Sequence, residues 1–271
     1  MDRGSLFVIS GKKPNAEIRL FCFPHAGGGP ASFFAWNALL GPRIECVSVQ
    51  YPGRAQRWRE PGLTSMSELV HEITENWVDN SAKPFAFYGH SFGGLVAFEV
   101  VRRLRQKQMP GPEWLFLGAS RAPHLEHWQT PIHTLPDEEF ITALQDRYEG
   151  IPSAIRADRE TLNLFLSSMR TDLKAYENYS MKEDAALAIP IAAFAGAEDH
   201  SVSPARMQGW EMQTEVGFQM KVLSAGHFFT NGCLEIVTDC IRDCLLERID
   251  FQRMREQGIE CSDSEERTGC R

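Results

Sequence analysis

A short apolar run, Phe85-Ala86-Phe87-Tyr88, leads straight into Gly89-His90-Ser91-Phe92-Gly93, and a helix-patterned run from Gly94 to Lys107 leads out. A strand, a tight turn and a helix in that order confine the chain to few folds. The turn is crowded, so small residues are needed two positions either side of Ser91, and Gly89 and Gly93 supply them. A serine lifted onto such a turn is exposed to a base that can take its proton. The following helix aims unpaired N–H groups and a positive dipole end at the same point. The pentapeptide therefore reads as a nucleophile elbow, not an ordinary glycine-rich loop, with Ser91 as the candidate nucleophile.

The rest of the chain alternates apolar strand-like runs with longer amphipathic ones, the pattern of a mostly parallel sheet flanked by helices. Strands are expected at Ile18 to Phe23, Cys46 to Val49, Phe85 to Tyr88, Trp114 to Leu117, Ile191 to Phe194 and Met220 to Leu223, with another near Leu6 to Ile9. Helices are expected at Ser32 to Leu39, Met66 to Val78 (capped by Ser65 or Ser67), Gly94 to Lys107, Pro204 to Trp210 and Cys233 to Arg248. Residues 124–188 break the alternation and hold helical runs at Asp137 to Tyr148 and Asp158 to Tyr179. An insertion there reads as a helical lid. The expected organisation is an α/β-hydrolase core over 1–123 and 189–250, a lid over 124–188 and a charged, disordered tail over 251–271.

Several function classes are disfavoured. No run of 18 or more apolar residues occurs, and Met1 to Gly11 lacks the charged and apolar regions of a secretory signal, so the cytoplasm is the expected location. A net charge of −8 argues against nucleic-acid or anionic-membrane binding. It also means that an acidic partner would need a local basic patch; Arg54, Arg57 and Arg59 form one candidate, and Arg102, Arg103, Arg105 and Lys107 another, against the blander reading of solvated faces. Seven irregularly spaced cysteines contain no C-x-x-C pair. Cys22, Cys46, Cys233, Cys240 and Cys244 read as core residues, Cys261 and Cys270 as free thiols in the tail.

A nucleophilic serine needs a base, an orienting acid and donors for the oxyanion. In hydrolases with this elbow the chain order is Ser, Asp or Glu, then His. His227, in Ala225-Gly226-His227-Phe228-Phe229 just after a strand, fits the base; His200, adjacent to the acid, does not. The acid lies past the strand Ile191 to Phe194, where Asp199 is preferred and Glu198 is the neighbouring alternative. One oxyanion donor is the N–H of Phe92, the residue after the nucleophile. The second comes from Phe23-Pro24-His25-Ala26-Gly27-Gly28-Gly29, with Ala26 N–H the best fit. His25 is a candidate substrate contact or an ordinary loop residue. Phe165, Leu166 and Met169 are candidates for lining an acyl pocket, although core packing is the commoner fate of such a stripe.

Phe-Pro-His-Ala-Gly-Gly-Gly at 23–29, Tyr-Pro-Gly-Arg at 51–54, Gly-His-Ser-Phe-Gly-Gly at 89–94, Gly-Ala-Glu-Asp at 196–199 and Gly-His-Phe-Phe at 226–229 together resemble the type II thioesterases. These are stand-alone enzymes of polyketide and non-ribosomal peptide systems. The run Met169 to Tyr179 is similar to that family's lid helix. The resemblance spans roughly residues 15 to 248, departing at Tyr51, where a leucine commonly stands, and in the polar extension after Ile249.

The resemblance implies hydrolysis of aberrant or stalled acyl groups from the phosphopantetheine arm of an acyl or peptidyl carrier protein. It implies an acyl-Ser91 intermediate, and neither metal nor organic cofactor. The alternatives are a thioesterase that releases a finished medium-chain fatty acid or polyketide, a generic esterase, and a non-catalytic carrier-binding partner. A monomer is the default expectation.

Overall fold

The computed structural model describes residues 5–77, 83–126, 130–148, 151–229 and 233–257. Seven strands among them form one sheet: β1 (Phe7–Ile9), β2 (Ile18–Phe23), β3 (Ile44–Val49), β4 (Phe85–His90), β5 (Leu115–Gly118), β6 (Ile191–Gly196) and β7 (Phe218–Leu223). Their spatial order is β1-β3-β2-β4-β5-β6-β7. β1 runs antiparallel to β3 and every other pair is parallel. β4, which ends one residue before Ser91, lies in the middle of the sheet.

Residues of β3, β4, β5 and β6 are buried throughout, which is why they read as continuous apolar runs. Alternate side chains feed two separate cores. Phe21, Phe23, Phe85, Phe87, Leu115, Leu117 and Ile191 face one side, where α2 (Met66–Glu75) and α3 (Phe92–Gln106) pack. Ile18, Leu20, Cys22, Ala86, Tyr88, Phe116 and Phe194 face the other, covered by α1 (Trp36–Leu39) and α8 (Cys233–Glu256). Fully buried Trp77 anchors the first core, its ring 4.6 to 5.4 Å from those of Phe21, Phe87, Phe85 and Phe7. Such aromatic pairs add about 0.5–1.5 kcal/mol each beyond area burial.

Between β5 and β6 come α4 (Asp137–Tyr148), α5 (Ser153–Arg156) and α6 (Arg159–Glu177). Asp158 caps α6 by accepting from Thr161 N–H at 2.7 Å. Phe140 and Leu144 of α4 and Leu166, Met169, Leu173 and Tyr176 of α6 join the first core, so these helices are seated on the sheet's flank and on α3. After β6 comes α7 (Pro204–Gln208).

Several element ends differ from expectation. Ser32 to Leu39 is not one helix: a 3₁₀ turn over Pro30–Phe33 precedes the single turn of α1. α3 begins at Phe92, two residues early, because Ser91 takes the cap position. α2 ends at Glu75, with Val78 outside the described residues; Ser65 stands at its cap, yet its hydroxyl meets Ser67 Oγ instead of a backbone N–H. α7 gives way at Gly209 to a 3₁₀ turn.

The start of the expected tail is corrected. α8 continues to Glu256, with Ile249 buried and Asp250 and Arg253 ion-paired to Arg43 and Glu17. The remainder, with Cys261 and Cys270, lies outside the described residues. The other five cysteines are buried, and none of them forms a disulfide.

The first basic cluster is corrected as a surface patch, and three members of the second are paired with carboxylates. Arg54 and Arg57 are buried, paired with Asp172 and with Glu60 and Glu72. Arg102 meets Glu99 and Asp184, Arg105 meets Asp184, and Lys107 meets Glu75. Of the first cluster only Arg59 is exposed, stacked on Trp58. Among the described residues, no helix is long and apolar enough to cross a membrane.

Candidate active site

Ser91 sits at the sharp end of β4 with φ +53° and ψ −118°, a backbone conformation that L-residues avoid. The surroundings force it. Ser91 N–H donates to Gly118 O at 2.7 Å and Ser91 O accepts from Gly94 N–H at 3.0 Å. A Cβ on Gly93 would land on the Phe23 carbonyl, and one on Gly89 would strike the backbone of Gly93 and Gly94. The two glycines therefore let β2, β4 and α3 close up around the serine. Strain of this kind costs on the order of 1–3 kcal/mol and persists only where packing over-determines it.

His227 Nε2 lies 3.0 Å from Ser91 Oγ. On the other side of the ring, Nδ1 lies 2.8 Å from Asp199 Oδ2 and 2.8 Å from Ser201 Oγ. Asp199 Oδ1 accepts from Ser201 N–H at 2.8 Å, Ser201 O–H at 2.7 Å and Val202 N–H at 2.9 Å. Because the Ser201 hydroxyl proton is spent on Asp199, His227 Nδ1 carries the proton that reaches the carboxylate. Nε2 is left as an acceptor facing the serine, the tautomer a general base needs. Burial pushes the Asp199 carboxyl up, but the hydrogen bonds and charge of His227, with those of Ser201 and Val202, outweigh it and hold the group below its ordinary value. Glu198, by contrast, is exposed.

The His227 backbone is held as well. His90 Nε2 donates to the His227 carbonyl at 2.9 Å, and its Nδ1 accepts from Tyr88 O–H at 3.1 Å. That arrangement requires a neutral ring. Burial, reinforced by the neighbouring His227 and His25, keeps His90 well below the usual histidine range. His25 is lowered to about 4, chiefly by desolvation, and its Nδ1 meets Ala26 O at 2.9 Å.

These two histidines set a pH dependence. Both are neutral in the folded protein, whereas the unfolded chain takes up protons below about pH 6.5. Stability that is full at neutral pH is therefore lost as the pH falls from about 6.5 towards 4. Asp199, held low, adds to the loss only below its unfolded value of 3.8. We expect the melting temperature to drop between pH 7 and 5. His90→Gln should flatten the dependence by up to about 1.4 kcal/mol per pH unit. An unchanged slope in thermal melts of that variant would mean that His90 is not the proton acceptor.

Ala26, at the second position of the turn His25 to Gly28, and Phe92, at the first position of α3, border the same cavity as Ser91 and His227. The Phe92 N–H has no partner within its own helix, and the turn is closed by the Gly28 N–H, which leaves that of Ala26 unused by it. The opposite wall consists of Tyr148 from α4 and Met169, Leu173 and Tyr176 from α6, with His25 and Phe228 completing the rim. The free space among these side chains is about 20 Å³, room for roughly one water molecule.

Of the residues expected at the site, Ser91, Asp199, His227, Ala26, Phe92, His25 and Met169 converge here. Phe165 does not line the cavity; it packs outside it, near Gly27. Leu166 is in the core. Sequence reasoning missed Ser201, His90 and the two tyrosines. A short hydroxyl residue two positions after the acid was the one available signal, since such side chains commonly close local turns. Among the described residues, no group of three or more His, Cys, Asp or Glu side chains is placed to hold a metal ion.

Residues 18–245 match the family model described as thioesterase domain. The chain is 35% identical over 223 residues to the gramicidin S biosynthesis protein GrsT of Aneurinibacillus migulanus, covering 82% of this chain and 87% of that one. It is 37% identical over 236 residues to thioesterase PikA5 of Streptomyces venezuelae, covering 86% and 83%. The solved structure of the RedJ thioesterase from the prodiginine biosynthetic pathway of Streptomyces coelicolor superposes with a TM-score of 0.79 at 31% identity, covering 85% and 87%.

Proposed function

The chain belongs to the thioesterase family, and we propose that it clears aberrant or stalled acyl groups from the phosphopantetheine arm of carrier proteins in polyketide or non-ribosomal peptide biosynthesis. The observation that carries the reading is the relay from Asp199 through His227 to Ser91, closed beneath an apolar wall. Ser91 Oγ attacks the thioester carbonyl while His227 Nε2 takes its proton. The carbonyl electrons become an oxyanion facing the N–H groups of Ala26 and Phe92. Collapse breaks the C–S bond, and the pantetheine sulfur leaves with the proton from His227. Water then attacks the acyl-serine, giving its proton to His227, which passes it to Ser91 Oγ as the free acid departs.

The cavity favours editing over release of a long finished chain. The free space beside Ser91 is small, and short acyl groups require the least displacement of the side chains of α4 and α6. These helices act as the lid, shielding the acyl-serine from bulk water. The decisive experiment loads a carrier domain with acetyl, propionyl, aminoacyl or long-chain groups and follows deacylation by intact mass. Rapid, tolerant hydrolysis of the short groups is expected. One strongly preferred long chain would assign product release, and preference for oxygen esters over thioesters would assign a generic esterase.

A further inference from the structure

We propose that the buried ion pair Arg54–Asp172 is a positioning device for the oxyanion turn, holding the Ala26–Gly27 peptide in its working orientation. The inference rests on the reading of Ser91 and Ala26 given above. Arg54 Nη1 and Nη2 each lie 2.6 Å from a different Asp172 oxygen, a two-pronged contact with both side chains almost wholly buried. Both partners have a second contact, and both second contacts fall on the turn. Asp172 Oδ2 accepts from Gly27 N–H at 2.8 Å, and Arg54 Nη1 donates to Gly28 O at 3.0 Å.

The turn His25 to Gly28 is closed by Gly28 N–H to His25 O at 2.9 Å, and Gly27 has φ +70°. A left-handed third residue is what a type II turn requires. Types I and II differ in which way the central peptide points, here the one joining Ala26 to Gly27. Both poles of that peptide are tied down, its C=O to His25 Nδ1 and its N–H to Asp172. Without Asp172 the peptide is free to flip. A flip rotates ψ of Ala26 and φ of Gly27 and turns the Gly27 N–H away from α6; the turn, no longer anchored, then shifts as a unit and carries the Ala26 N–H of the preceding peptide off the line to the oxyanion.

Asp172 lies on α6, the helix that supplies Met169, Leu173 and Tyr176 to the cavity wall. The same carboxylate thus joins the cover to the turn.

The test compares wild type with Asp172→Ala, Asp172→Asn and Arg54→Lys. The probes are the propionyl thioester of N-acetylcysteamine and a fluorophosphonate that labels Ser91 through the same oxyanion contacts. Asp172→Ala should lower kcat by about 10²-fold, the low end of the effect of losing one oxyanion donor. KM should move less than about threefold, and the labelling rate should fall in parallel with kcat. Asp172→Asn keeps an acceptor for Gly27 N–H and should lose less, while Arg54→Lys, unable to span both oxygens and Gly28 O, should fall between. Should Asp172→Ala fail to fold, the ranking of the other two decides. Unchanged kcat and labelling in folded variants overturns the inference, as does a rise confined to KM. Wild type that labels but hydrolyses no thioester would overturn the proposed function alone, with the labelling rates still reporting on the turn.

Discussion

Ser91→Ala is expected to lower the rate of carrier deacylation by about 10⁶-fold, the scale at which removing the nucleophile of a triad acts. No neighbouring group replaces it. Among the described residues, the other hydroxyls on the cavity are those of Tyr148 and Tyr176, and burial raises both above the ordinary phenol range, which makes them poorer nucleophiles still. Intact mass should show the propionyl-loaded carrier unchanged over hours in the presence of the variant. Stability gives an independent check. Alanine at φ +53° is as strained as serine, so the melting temperature of Ser91→Ala should stay close to that of wild type. Ser91→Gly is equally inactive but relieves the backbone, gaining about 1 kcal/mol and a few degrees in melting temperature. A Ser91→Ala protein that still turns over would sink the acyl-serine mechanism outright.

The parts of this site that a reader of sequence can see are those fixed by local constraint. Phe85 to Tyr88 is legible as a central strand because a strand covered on both faces must be apolar at every position. Ser91 is legible because only small residues fit two positions either side of it. His227 and the Asp199 region follow from chain order and strand ends. Asp199 is the preferred acid in the sequence, with Glu198 beside it, and only geometry separates the two, because the choice depends on which side chain turns inward past β6. Arg54 is the clearest failure. Beside Arg57 and Arg59 it reads as a surface charge, and its partner Asp172 is 118 residues away on α6. Nothing in the local pattern distinguishes a solvated arginine from one that a distant carboxylate draws into the core. The start of the tail was misplaced for a related reason: ion pairs from Asp250 and Arg253 to Arg43 and Glu17 accompany a helix that continues to Glu256, where charged residues alone suggest disorder.

Asp199→Asn should be severely damaging, about 10⁴-fold in kcat, although the shape of the side chain is kept. The direction follows from the donors already in place. Three of them, Ser201 N–H, Ser201 O–H and Val202 N–H, converge on Oδ1, so an asparagine must keep its oxygen there. Its NH₂ then occupies the position of Oδ2 and donates towards His227 Nδ1. The ring can accept that bond only by moving its own proton to Nε2, where it faces Ser91 and blocks proton removal. Ser201→Ala leaves Oδ2 and the correct tautomer intact and removes one of the donors on Oδ1. Its cost should be about tenfold, with the Asp199 carboxyl rising towards its ordinary value. Steady-state rates on the propionyl carrier separate the two variants, and protein folded to the wild-type melting temperature rules out collapse as the cause. If Asp199→Asn stays within tenfold of wild type, the carboxylate does not set the tautomer of His227. The relay would then reduce to a serine–histidine pair.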